Sequence, residues 1–382
     1  AVFYRLAELC RDKCAFAKMD ELLALYLKDG RDTLLTFSAL CLTGELRKAY
    51  GLAPALLGNS PSAETLLFAA DPWANINEVR RIKAALSGVE AALAGLKGPV
   101  KDLAAVHRFI LSERAGSRTA FRMPRARRAV SLSNCIIYLP AAEILMNRLE
   151  FEKGEELLRA IVDAWPVNEL ACGKLAEAMF CGGKKEAALD LLASGQGLIK
   201  SPGFRAWRGQ LLLFSGRYEA SVRELERPIA AGNPLGWCWR GAALFKLGRN
   251  GPALKDLSAA IKIDPDDFEA RVWRAELLRT GKQPARALED LNVALRKMPK
   301  HPWALANRAL LAAGRGDRTG FAAHYSRLPE PVKLACVRGG GGQAALSKLL
   351  AELKGVRRHE PRFWSFAAPA AAGSGNPAYI IR

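Results

Sequence analysis

The stretch PLGWCWRGAALFKLGRNGPALKDLSAAIKIDPDD, residues 234–267, decides the fold. Trp237, Gly241 and Leu244 recur at helical spacing and share one face of a first helix. Gly248 closes that helix. Ala253, Leu257 and Ala260 form the apolar stripe of a second helix. Pro265 stops it, because proline cannot continue a helix. The small residues Gly241, Ala253 and Ala260 sit where the two helices must approach closely. The unit recurs. Trp207-Arg208-Gly209, Trp239-Arg240-Gly241, Trp273-Arg274-Ala275 and Asn307-Arg308-Ala309 follow one another with arginine-to-arginine steps of 32, 34 and 34 residues. A fixed period in this range denotes stacked supersecondary units rather than one globular core. It moves the functional question from a catalytic pocket to an extended surface.

The unit resembles the tetratricopeptide repeat, a helix–turn–helix with the same order of Trp, Gly, Ala and Pro. The frame carries forward to residues 268–301, with Ala275, Leu278, Ala287, Leu291, Ala294 and Pro299 in place and the turn glycine, Gly281, one residue early. It carries back through 202–233 (Gly209, Leu212, Gly216, Leu225), 169–201 (Ala176, Met179, Gly183, Ala188, Leu192) and, more loosely, 135–168. A last unit begins at Pro302 with Ala309 and Gly316, then carries Phe321 where alanine is expected. The resemblance therefore covers about six repeats between residues 135 and 328. It implies an all-α solenoid whose first helices line a concave groove for a segment of a partner protein.

A second signal supports the register. Sixteen residues after each repeat arginine stands a partner: Glu224 for Arg208, Asp256 for Arg240, Asp290 for Arg274 and His324 for Arg308. The two earlier units carry Leu175 with Leu191 and Ala141 with Leu157 at the same offset. Both members are charged in some units and both apolar in others. That is the pattern of an intra-repeat contact, since a lone buried charge costs several kcal/mol.

The remaining chain is assigned more coarsely. Residues 1–134 read as a helical region of no evident family, broken at Gly30, Gly44 and Gly58–Pro61. The apolar series from Ile76 to Ile110 is cut at Gly98-Pro99, which predicts two packed helices rather than one long rod. After the repeats, residues 329–356 read as a Gly-rich linker with a capping helix at Ala344–Lys354, and 357–382 as a loosely ordered basic tail.

Half of the 382 residues are hydrophobic, so the chain can bury a core. The net charge of +19 favours anionic partners. Arg122, Arg125, Arg127 and Arg128 form the densest cluster, a candidate anion-binding segment that opens a nucleic-acid reading as the alternative. The eight cysteines contain no CxxC pair, and no run of about 18 apolar residues exists to span a membrane. Reduced thiols and a charged, amphipathic start lead to the expectation of a cytoplasmic protein.

No catalytic, metal or cofactor motif is legible: the four histidines, His107, His301, His324 and His359, are far apart in sequence, and HExxH, GxSxG and Walker A patterns are missing. The expected function is that of a non-enzymatic protein-interaction scaffold. The alternatives are an RNA-associated repeat protein and a regulatory part of a larger enzyme. Trp207, Trp239 and Trp273 hold one equivalent place on three first helices. They form either an exposed ladder for a bound peptide or inter-repeat packing. Gln210, Lys246, Glu276 and Arg279 are the neighbouring groove candidates. The Lys and Asn residues with which some family members clamp a terminal carboxylate are replaced here by Ala206, Gln210, Cys238 and Ala242, so that activity is not expected.

Overall fold

A computed structural model describes residues 2–58, 62–74, 76, 78–117, 119–121, 130, 135–148, 150–299 and 301–328. Among them all regular structure is helical, comprising nineteen α-helices and a short 3₁₀ turn at Cys135–Tyr138, without a strand. The Arg122, Arg125, Arg127 and Arg128 segment, Gly339–Gly342 and the helix expected at Ala344–Lys354 lie outside the described residues. By contacts the chain divides into two units, residues 1–145 with 153–171 and residues 146–152 with 172 onward.

In the first unit, α1 (Val2–Asp12) pairs with α2 (Phe16–Asp29), and α3 (Thr33–Leu42) with α4 (Leu46–Leu56). After α5 (Ala63–Ala70), α6 (Val79–Leu93) packs on α7 (Gly98–Arg114). The Gly98-Pro99 break thus produces two packed helices, with proline in the first turn, where its missing N–H costs nothing. His107 of α7 is fully buried at the centre of this core. Its Nε2 lies 2.8 Å from the Ala69 carbonyl, which can only accept, so Nε2 carries the proton. Nδ1 is then left to accept from the Tyr50 hydroxyl at 3.0 Å. Phe37, Tyr50 and Trp73 surround the ring.

Helices α8 (Leu139–Asn147), α9 (Phe151–Ala164) and α10 (Glu169–Cys181) are divided between the two units, so the first expected repeat is not a block of its own. In the second unit α11 (Lys185–Gly195) precedes four hairpin pairs: α12 (Pro202–Phe214) with α13 (Tyr218–Ala230), α14 (Pro234–Lys246) with α15 (Asn250–Ile263), α16 (Phe268–Thr280) with α17 (Pro284–Lys297), and α18 (Pro302–Gly314) with α19 (Arg318–Tyr325). Each first helix also touches the next first helix, which makes the pairs a stack. The first helices start alike. Ser201, Asn233, Asp267 and His301 each cap one by accepting a backbone N–H with the side chain.

The turns between the helices of a pair follow one rule. The fifteenth residue of each unit is left-handed, and the residue after it donates its N–H back to the carbonyl five positions earlier, as Arg249 does to Leu244 at 2.9 Å. Gly183, Gly216, Gly248 and Gly316 fill that place with φ between 72° and 90°. In the remaining unit the turn is not centred on Gly281, as the sequence suggests. Gly281 has φ −78°, and Lys282 occupies the left-handed position at φ 58°. The backbone position is kept, and a lysine is held where glycine is preferred. Inside the pairs, Gly241 answers to close approach. A Cβ there would stand 2.7 Å from the Leu257 Cγ.

The arginine partners meet as their spacing predicts. Arg240 forks onto Asp256 at 2.7 and 3.1 Å, and Arg274 onto Asp290 at 2.7 Å through both nitrogens. Arg208 reaches Glu224 at 2.6 Å. Arg308 differs, because burial, and then the charges of Arg308 and Arg327, hold His324 below its ordinary pKa. No hydrogen bond joins the two among the described residues, and His324 Nδ1 is buried without a partner among them.

Candidate functional site

The predicted groove residues lie on successive first helices of the second unit, and the structure gathers them into the seams between repeats. Trp239 is only 2% exposed and Trp273 5%, so an exposed tryptophan ladder does not form. Both belong to one apolar cluster with Ala206, Leu213, Cys238 and Ala270. Trp207 is half-buried against Gly173, the residue just short of Lys174 on α10, where a side chain would collide with the indole. The physical reason is the row of small or slender residues at the fifth place of each unit: Gly173, Ala206, Cys238, Val272 and Ala306. Gly173, Ala206 and Cys238 leave room beside their first helices, and the next repeats fill it with Trp207, Trp239 and Trp273.

Polar bonds run along the same seam. Trp207 Nε1 donates to Glu177 Oε1 at 2.8 Å, and Lys174 Nζ lies 3.3 Å from the same carboxylate. One boundary on, the seam is apolar, with Phe214 set edge-on to Trp239 at 5.8 Å between centroids. Lys246 then stands 5.2 Å from the Trp273 ring and 3.7 Å from Glu276. Glu276 is buried and also accepts from Trp303 Nε1. Arg279 Nε donates to Asn307 Oδ1 at 2.8 Å, and Asn307 Nδ2 donates to the Trp303 carbonyl at 3.1 Å. Gln210 is buried on the same face of α12. Of the predicted groove set, Trp207, Lys246 and Arg279 therefore keep partial exposure, while Gln210, Trp239, Trp273 and Glu276 are inside.

Sequence reading missed Glu177, Trp303 and Asn307. For Glu177 a signal existed, since it holds the ninth place of its unit, as Glu276 does in another. The ninth place in the repeat preceding Trp273 is Ala242, and Trp273 Nε1 is buried without a hydrogen-bond partner among the described residues. Trp303 stands at the second place of its unit and not the sixth, so the tryptophan frame could not find it.

One titratable cluster also emerges. His301 Nε2 lies 3.8 Å from Glu269 Oε2, both groups being buried. Burial lowers His301 to about 3 and lifts Glu269 well above the carboxylate range. His301 is therefore uncharged at pH 7, and burial opposes a charge on Glu269 as well. Cys238, influenced by Asp267 and Glu269, has its thiol raised by burial, the reverse of what a nucleophile needs. His301 Nδ1 accepts the Ala304 N–H, so the imidazole serves as a helix cap. No group of three His, Cys, Asp or Glu side chains among the described residues could hold a metal ion.

The tetratricopeptide repeat family matches residues 208–267 and 240–302. No curated protein matches the chain. A tetratricopeptide repeat protein from Parabacteroides merdae is 12% identical, with 76% of this chain and 97% of that one covered at a TM-score of 0.44. PilF of Pseudomonas aeruginosa is 15% identical over 57% of this chain and 97% of its own, at 0.41. PilW, a type IV pilus biogenesis factor, is 15% identical over 56% and 98%, at 0.42. Residues 208–302, with their helix pairs in the expected register, are tetratricopeptide repeats.

Proposed function

We propose that the chain is a protein-interaction scaffold that binds a segment of a partner protein along the first-helix face of its repeats. The observation that carries this reading is the half-exposed seam of Trp207, Phe214, Lys246, Arg279 and Trp303, whose side chains are already held by the bonds described above. Side chains ordered before binding lose little entropy when a ligand arrives. Aromatic edges beside fixed charges suit a peptide that brings both apolar and polar groups. The raised Cys238 thiol and the misplaced histidines speak for binding rather than catalysis. No disulfide joins the described cysteines, which fits a reducing compartment such as the cytoplasm. No described helix is long and apolar enough to cross a membrane.

The test is photo-cross-linking in the native cell, with benzoylphenylalanine replacing Phe214 in the seam and, as a control, Lys262 on the exposed side of α15. The reading requires a discrete adduct from position 214 only, to a protein that then binds the purified chain at high salt. Adducts of equal yield from both positions refute it. Capture of nuclease-sensitive material at both positions favours the RNA alternative.

A further inference from the structure

A second surface lies on the other side of α12. At 100° per residue, Arg205, Arg208 and Leu212 stand about 160° around the helix from the Trp207, Gln210 and Phe214 stripe. They line a cleft of about 520 Å³ between α12 and α13. Five arginines face it: Arg205, Arg208, Arg217, Arg223 and Arg227. Glu224 is its one carboxylate. That group is already engaged, by Arg208 at 2.6 Å and by Gln196 Nε2 at 2.7 Å, with Arg205 at 4.0 Å. Arg217 is held from outside by Glu186 at 2.6 Å. Arg223 and Arg227, one turn apart on α13, are exposed, and neither has an ion-pair partner among the described residues. Arg208 Nε is out of reach of water and has no hydrogen-bond partner among them either.

The array supplies its own control. Thirty-two residues on, the equivalent cleft of about 470 Å³ is lined by Trp237, Arg240, Lys255 and Asp256. There Trp237 stands in place of Arg205, Lys255 in place of Arg223 and Ala259 in place of Arg227. Arg240 is stacked on Trp237 at 5.2 Å and forked onto Asp256. One repeat later Glu289 and Val293 take the places of Arg223 and Arg227, and Arg271 and Arg274 both sit on Asp290. Unneutralised positive charge is therefore concentrated in one cleft and fades within two repeats. Helix pairing alone does not call for it, because the neighbours fold in the same way without it.

We propose that this cleft docks an acidic segment of a partner protein, a short run of Asp and Glu side chains. Guanidinium groups bind carboxylates through two parallel hydrogen bonds, which a lysine cannot reproduce. Arg223 and Arg227 stand about 6 Å apart along α13. Alternate side chains of an extended peptide repeat at nearly the same distance, about 6.6 Å. The charge pattern disfavours RNA, which needs a continuous basic track and aromatic faces for its bases. No aromatic residue lines this cleft. The surface is separate from the first-helix seam and stands whether or not that seam binds a partner.

The experiment uses the full chain and a short fluorescein-labelled Asp/Glu peptide, read by fluorescence anisotropy at physiological salt. The wild type should bind. The R223S/R227S double variant should bind about tenfold more weakly or worse, the size expected for losing charge-assisted pairs. R223K/R227K keeps the charge without the fork and should fall between. K255S/K262S removes two exposed charges elsewhere and should change affinity less than about twofold. Melting curves of the variants should stay close to that of the wild type, apart from the small helix-propensity cost of serine, since neither arginine side chain makes a described hydrogen bond or ion pair. Three results overturn the proposal: no binding by the wild type, an equal loss in K255S/K262S, or tighter binding of an oligouridylate that is lost in R223S/R227S.

Discussion

The α1–α2 and α3–α4 pairs close as the later pairs do. Cys14 is left-handed at φ 57° and Gly44 at 83°. The residues after them donate back five positions, Ala15 to Cys10 at 2.7 Å and Glu45 to Leu40 at 2.8 Å. Yet residues 2–56 carry no Trp-Arg-Gly tripeptide, and the one arginine–carboxylate pair at sixteen residues there, Arg5 and Glu21, forms no tie, since Arg5 bonds to Glu8 and Glu21 to Lys18. The hairpin is therefore a property of backbone closure and an apolar stripe. What the later repeats add is a tie across each pair and an indole between neighbours. The first unit is held instead by a buried imidazole with aromatic neighbours, so the two regions should fail under different insults.

The largest expected effect is at Trp239. Trp239→Ala removes a fully buried indole from the seam and should cost about 3–5 kcal/mol in urea denaturation. A loss under about 1 kcal/mol would show that the seam does not hold the array, and the contrast between the regions would collapse.

Acid should strike the first unit through His107. Burial lowers its pKa from 6.5 to about 4. The unfolded chain takes up a proton at higher pH than the folded one. The stabilisation is thus complete above pH 6.5 and drains away as pH falls towards 4, by at most about 3 kcal/mol. His107→Gln should flatten this pH dependence in the first unit's transition, whatever it does to the midpoint. An unchanged slope would move the acid sensitivity elsewhere.

Arg240→Leu leaves Asp256 buried without its partner. With Arg240 still 22% exposed and water able to help, the cost should be about 2 kcal/mol. Changing both residues to Leu imitates Leu175 and Leu191, and should recover most of it. Additive losses in the double-mutant cycle would mean that the tie is only a surface contact.

The smallest effect sharpens the turn rule. Lys282→Gly relieves a left-handed lysine and should stabilise by about 0.5–1 kcal/mol in thermal melts. A destabilisation would mean that the side chain contributes more than the strain costs.

These contrasts also explain what could be read from sequence. The repeat register and the Arg240–Asp256 and Arg274–Asp290 pairs were legible because both partners keep one offset while the surrounding residues vary. The burial of Trp239 and Trp273 was written in the small residues at the fifth place, but only a neighbour in space gives that row its meaning. The α1–α2 hairpin stayed hidden because the left-handed Cys14 leaves no mark that sequence reading can weigh, whereas Gly44 did mark the break between α3 and α4. The arginine cleft was hidden for another reason. Its residues run from 205 to 227 among Glu219, Glu224 and Glu226, and a count along the chain dilutes a charge that folding back concentrates.

The seam bonds described above each join a repeat to its immediate neighbour: Trp207 to Glu177, Phe214 to Trp239, Lys246 to Glu276, Arg279 to Asn307. A chain of nearest-neighbour links transmits strain poorly, because every boundary can absorb part of it. Two cargoes held near α12 and α18 would then bind as strangers, neither altering the other's affinity. Such an array can gather several molecules in one place without making any of them wait for the rest.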